Sequence, residues 1–145
     1  MTIEITYTID CPDHDQLFHK CGWAVSQVCD PLFSDTQISL VVVSEEEIQT
    51  LNNQYRDKPQ ATDVLSFPLW KDHTEIHPDT PLGEIFLCYT YAYNQAQRLG
   101  NSLTQELAIL TIHGIWHIMG YDHLTDQQHH EMQTQENRSL HLLDF

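Results

Sequence analysis

Apolar residues recur along the chain with two different periods, which divide it into short strands and helices. Alternating or β-branched residues predict strands from Thr2 to Thr8 and from Thr36 to Val43. Between them, the apolar positions from Pro12 to Val28 have the spacing of an amphipathic helix. Two more strands are predicted, from Asp63 to Pro68 and from Gly83 to Leu87.

Three capping boxes, in which a hydroxyl residue precedes an acid or amide by three positions, mark the starts of further helices. The pairs are Ser44 with Glu47, Ser102 with Gln105, and Thr125 with Gln128. A helix is also predicted from Tyr89 to Leu99, and an exposed loop from Trp70 to Pro81. The order β-α-β-α-β-β-α-α-α indicates an α+β fold, with a small mixed β-sheet packed against helices. We expect one domain over residues 1–145.

Histidines fall at metal-binding spacing in the apolar helix that begins after Ser102. His113 and His117 lie about one turn apart on one face. Gly120 ends the helix readily, because glycine adopts the left-handed conformation at little cost, and the reversed chain can then bring in His123. Three imidazoles with an open fourth position are typical of catalytic zinc. We therefore predict one Zn²⁺ site on a central buried helix.

The alternative is that these three are ordinary packed or surface side chains, in a chain with ten histidines. The spacing itself is also that of the metzincin peptidases, which carry a general-base glutamate directly after the first histidine. Gly114 stands at that position here. A peptidase-like hydrolase is therefore a weaker alternative. Five other histidines are expected to face solvent: His73, His77, His129, His130 and His141.

Composition limits the partners and the compartment. The net charge is −15, from 21 acidic and six basic residues, which excludes broad electrostatic binding of nucleic acid. A small basic site or a cationic partner remains compatible with it. The four cysteines form no C-x-x-C pair, as expected of free thiols in a reducing compartment. With no signal-peptide pattern and no membrane-length apolar run, we expect a cytoplasmic protein without membrane contact.

Several motifs taken together resemble one known family. They are H-G-x-x-H-x-x-G-Y-D-H at 113–123, L-N-x-x-Y-R at 51–56, T-D-V-L-S-F-P at 62–68, L-G-E-I at 82–85, and the spacing of Met132 and Glu136. Over roughly residues 35–140 the chain is similar to the YbeY family of bacterial zinc-dependent endoribonucleases. It departs from the family at residues 59–62, where P-Q-A-T replaces the usual D-x-P-T, and at Trp116, where leucine is usual.

The resemblance implies a single-strand-specific endoribonuclease that acts in 16S rRNA 3′-end maturation and ribosome quality control. It further implies contacts with a ribosomal small-subunit protein and a ribosome-associated GTPase. A third hypothesis is a non-catalytic ribosome-assembly factor with a structural metal. Ligation by histidine alone disfavours that hypothesis, because structural zinc sites are usually closed and rich in cysteine.

Arg56 is the predicted catalytic residue besides the metal ligands. Its guanidinium matches a phosphate with two parallel hydrogen bonds and would stabilise developing charge on the scissile group. The alternative for Arg56 is an ordinary surface salt bridge. Asp122 is either a proton acceptor or a residue that shapes the turn, and we favour the second role. No general base is evident, so attack by water and attack by the RNA 2′-hydroxyl both remain open.

Overall fold

The computed structural model describes all 145 residues, and four segments of the chain are strands. They are β1 (Thr2–Tyr7), β2 (Gln37–Val43), β3 (Val64–Pro68) and β4 (Pro81–Cys88). The strands form one sheet in the order β1-β2-β4-β3. β2 is parallel to both β1 and β4, whereas the edge strand β3 is antiparallel to β4. The prediction of a small mixed sheet is therefore confirmed.

Six helices surround this sheet. They are α1 (Asp15–Val28), α2 (Pro31–Ser34), α3 (Glu45–Arg56), α4 (Tyr89–Leu99), α5 (Leu103–Ile118) and α6 (Asp126–His141). Each predicted capping box is present at the start of α3, α5 or α6. The short helix α2 was not predicted. It forms because Pro31 suits a first helical position and the Asp30 side chain accepts a hydrogen bond from the Leu32 amide.

The two faces of the sheet are covered by different helices. Ile38, Leu40 and Val42 of β2 belong to the main core, which also contains buried side chains of α1, α5 and α6. Val43 belongs to a smaller cluster with Ile48 of α3. Because successive side chains of a strand point to opposite faces, α5 and α3 lie on opposite sides of the sheet.

Gly114 lets α5 lie close against the sheet. A Cβ atom at this position would be 3.1 Å from both the Ile85 Cδ1 and the Ser66 Oγ atoms. A contact that short is tighter than side chains ordinarily make in a packed interior. The position that carries the peptidase glutamate in metzincins therefore faces the sheet here, where a larger side chain would require Ile85 or Ser66 to shift.

The loop between β3 and β4 is more firmly attached than the sequence predicted. Its residues His73 and His77 are exposed, as expected, and a 3₁₀ turn spans His73–Glu75. Trp70, however, is partly buried, and its indole N–H donates to the Ile118 carbonyl oxygen at 2.8 Å. This hydrogen bond ties the start of the loop to the end of α5. No helix in the protein has the length and apolar character needed to cross a membrane.

Candidate metal centre

A glycine-capped turn ends α5 and reverses the chain. Gly120 has φ +102°, a conformation that favours glycine. The Gly120 amide donates to the His117 carbonyl at 3.0 Å, and the Tyr121 amide donates to the Trp116 carbonyl at 3.1 Å. These two bonds are the Schellman pattern, and the rings of Trp116 and Tyr121 add the apolar contact that often accompanies it, with centroids 5.1 Å apart.

Asp122 shapes the next step of the same turn. Its carboxylate accepts a hydrogen bond from the His123 backbone amide at 2.8 Å. This contact supports the turn-forming role favoured for Asp122, because it orients the backbone that carries His123. The turn returns the chain to α5, so that His123 lies beside residues of the preceding helix.

The three predicted histidines come together at this end of α5. One ring nitrogen from each of His113, His117 and His123 lies within 4.8 Å of the others. The ring centroids are 4.7 to 5.9 Å apart. Tetrahedral zinc with bonds of about 2.1 Å needs nitrogens about 3.4 Å apart, so small side-chain rotations would complete the site. Three neutral nitrogen donors with one exposed ring fit a metal that keeps an open position.

Glu136 of α6 holds the first histidine. Its Oε1 atom lies 2.6 Å from Nδ1 of His113, and both side chains are largely shielded from solvent. When His113 is neutral, Nδ1 carries the proton donated to this carboxylate, which leaves Nε2 with its lone pair free for a metal. Sequence reasoning noted the spacing of Glu136 but could not assign this partner, because the two residues are 23 positions apart on different helices.

His117 is suited to ligation by its surroundings. Partial burial lowers the pKa of its imidazole, and the nearby His113 and His123 rings lower it further. The neutral form, which is the one that binds a metal, is thus favoured at neutral pH.

A cavity of about 310 Å³ opens beside two of the three histidines. It is lined by His113, His123, His129, Met132, Gln133 and Glu136. His129 was expected to be a surface residue, and it is exposed, but it also faces this cavity. A short polar ligand that reached the histidine cluster from this side would meet His129 and Gln133 of α6. No local signal distinguished His129 from its neighbour His130, since facing the cavity depends on how α6 docks on α5.

Arg56 is not among the residues that line the cavity beside the histidines. It is the last residue of α3, its side chain is exposed, and it makes no hydrogen bond or salt bridge. The alternative of an ordinary surface salt bridge is therefore not what the structure contains. The neighbouring Tyr55 packs against Phe67 of the edge strand β3, with centroids 5.3 Å apart, so α3 ends beside that edge. The assignment of Arg56 to the scissile phosphate stays a prediction.

Three histidines that could hold a metal ion, two on α5 and one in the following turn, are a donor set typical of metal-dependent hydrolases. Comparison with known proteins makes this class specific. The endoribonuclease YbeY family matches residues 8–144. Relatives named endoribonuclease YbeY in the Staphylococcus aureus strains JH9 and Newman are 39% identical, over 87% of this chain and 89% of theirs. The chain belongs to the endoribonuclease YbeY family, and it is accordingly a nuclease.

A solved structure supports the fold as well. The solution structure of TM1509 from Thermotoga maritima matches with a TM-score of 0.63 and 26% identity, over 97% of this chain and 90% of that one. The α+β prediction and the family resemblance are both confirmed. The family also favours a nuclease over the peptidase-like alternative.

Proposed function

We propose that this protein is a zinc-dependent, single-strand-specific endoribonuclease that acts in 16S rRNA 3′-end maturation and ribosome quality control. His113, His117 and His123 would hold one Zn²⁺. The observation that carries the proposal is the convergence of three imidazole nitrogens within 4.8 Å in a chain of this family. Their donor set is that of a catalytic rather than a structural zinc site.

The residues of the chain have distinct tasks in this proposal. A bound zinc supplies a Lewis acid and lowers the pKa of a coordinated water to about 7. Glu136 keeps the His113 ring in the ligating tautomer through its 2.6 Å contact with Nδ1. Arg56 would hold the scissile phosphate and stabilise the charge that develops on it. Asp122 supports the turn of His123 and takes no proton in this scheme.

The negative charge of the chain affects how it binds RNA. With a net charge of −15, the protein should bind free RNA weakly, because affinity for phosphates depends on clustered basic residues. We infer that it reaches rRNA in the cytoplasm through protein contacts on the ribosomal small subunit. A small-subunit ribosomal protein and a ribosome-associated GTPase are the proposed partners, since basic surfaces of ribosomal proteins would complement this charge.

Metal analysis of the purified protein, paired with cleavage of single-stranded RNA, tests the proposal. We expect about one zinc per chain and cleavage that is lost on chelation and restored by Zn²⁺. A double-stranded RNA of the same sequence is the matched control, and it should remain intact. Product ends separate the two routes of attack, because a 2′,3′-cyclic phosphate forms only when the RNA 2′-hydroxyl attacks. Metal-free protein that cleaves RNA at the same rate would contradict the proposal.

A further inference from the structure

A second contact joins α5 to α6 next to the His113–Glu136 pair. The indole N–H of Trp116 donates to the Ser139 hydroxyl at 3.0 Å, and that hydroxyl donates to the Gln135 carbonyl oxygen at 2.9 Å. Trp116 is 1% exposed and Ser139 is fully buried. A buried indole N–H without an acceptor would lose free energy, so the hydroxyl opposite it is energetically important.

The two contacts have the same spacing on both helices. Trp116 follows His113 by three residues on α5, and Ser139 follows Glu136 by three residues on α6. Residues three apart lie on the same side of a helix, about one turn from each other. Two attachment points one turn apart restrict both the sliding and the rotation of α6 on α5. A single flexible glutamate could not restrict both.

Trp116 also supports the turn that carries the third histidine. Its carbonyl oxygen accepts the Tyr121 amide, and its ring meets the Tyr121 ring nearly at a right angle, at 84°. One buried side chain therefore contacts both the helix that bears Glu136 and the turn that leads to His123. Neither Trp116 nor Ser139 is among the proposed ligands or lines the adjoining cavity.

We propose that Trp116 and Ser139 are a positioning pair for the metal centre. Their hydrogen bond holds α6 in the register in which Glu136 accepts the hydrogen bond from Nδ1 of His113. The inference rests on the proposed metal site. It also gives a role to the Trp116 indole N–H, because a leucine at this position would have no N–H to donate to Ser139.

Zinc affinity measured by competition with a chromophoric chelator tests the pair. Ser139→Ala removes the acceptor while keeping a good helix former, and Trp116→Phe removes the N–H together with part of the ring volume but keeps an aromatic ring. Each should weaken zinc affinity about tenfold, as loss of outer-shell support does in other sites. The same variants loaded with Co²⁺ should show an altered visible absorption band, which a change in stability alone would not produce.

A double-mutant cycle shows whether Ser139 acts through Glu136. In a Glu136→Ala background, Ser139→Ala should cause little further loss of zinc affinity, because the group it positions is already gone. Thr111→Val is the matched control. It removes another buried hydroxyl, one that bonds only to the Leu107 carbonyl of its own helix, and should leave zinc affinity unchanged.

The outcomes distinguish this inference from the proposed function. Wild-type zinc affinity in both Ser139→Ala and Trp116→Phe, or full additivity with Glu136→Ala, would overturn the positioning role while leaving the metal site intact. A wild-type protein that takes up no zinc from the competitor would overturn the metal site, and the positioning role with it.

Discussion

The histidine cluster and the predicted phosphate-binding residue Arg56 differ in how firmly their side chains are held. On the α5 side, His113 is fixed by Glu136, and His123 follows a turn closed by two backbone hydrogen bonds. At the end of α3, by contrast, the Arg56 guanidinium is exposed and has no protein partner. Metal ligands must converge closely before an ion can bind, whereas RNA itself can order an arginine. Ordering such a side chain costs about 2 kcal/mol, which phosphate contacts can offset.

Removing one proposed metal ligand should have the largest effect on RNA cleavage. His117→Ala leaves two histidines, too few for a stable open zinc site, so RNA cleavage should fall by at least about 10³-fold. Cleavage rates and bound zinc should be measured on the same preparation. His130→Ala, an exposed histidine of α6, is the control and should behave as wild type. Normal RNA processing by folded His117→Ala would instead favour the non-catalytic assembly factor.

Arg56 tests the exposed member of this comparison. Arg56→Ala should lower kcat by about 10²-fold, because a charge that stabilises the transition state is lost. Zinc affinity and the free energy of unfolding should not change, since the side chain has no contact to lose. Arg56→Lys should recover only part of the rate, because lysine cannot bind a phosphate in the bidentate manner. Lys58→Ala is the control for charge alone, and an equal loss there would contradict a specific role for Arg56.

Glu136 tests the support of the histidine cluster, and its replacement should have a smaller effect than loss of a ligand. Glu136→Gln keeps the shape of the side chain but removes the negative charge of the group that accepts the hydrogen bond from His113 Nδ1. Zinc affinity should weaken by about 10- to 100-fold, as measured by chelator competition. Glu131→Gln, on the exposed surface of the same helix, should have no effect. Equal affinity in the two variants would mean that the 2.6 Å contact does not support ligation.

The same comparison shows which features of the protein could be predicted from local sequence. Capping boxes and the H-x-x-x-H pair depend on residues three or four apart, and the predicted caps are all present. Local signals also predicted the turn at Gly120, where only backbone conformation is at issue. The order of strands and helices followed from periodicity, and only the four-residue helix α2 was missed.

Contacts between distant segments had no such signal. The Trp70 indole reaches the Ile118 carbonyl across 48 residues, and sequence reasoning placed Trp70 in an exposed loop. The Glu136 and Ser139 side chains find their partners only after α6 docks on α5. The convergence of the three histidines was therefore predictable from spacing, whereas the contacts of Glu136 and Ser139 were not.

The smallest predicted effect concerns the turn after α5, which a comparison of two helix-capping glycines tests. Gly120 and Gly100 both cap helices at positive φ, +102° and +74°, and a Cβ would meet no close neighbour at either. Alanine at either position should cost about 1–2 kcal/mol in free energy of unfolding, because left-handed backbone strains an L-residue. Only Gly120→Ala should also weaken zinc affinity, since its turn leads to His123. Denaturant unfolding of the metal-free proteins and chelator competition measure the two quantities separately. If Gly100→Ala weakened zinc binding as much, general loss of stability rather than the geometry of this turn would govern the affinity.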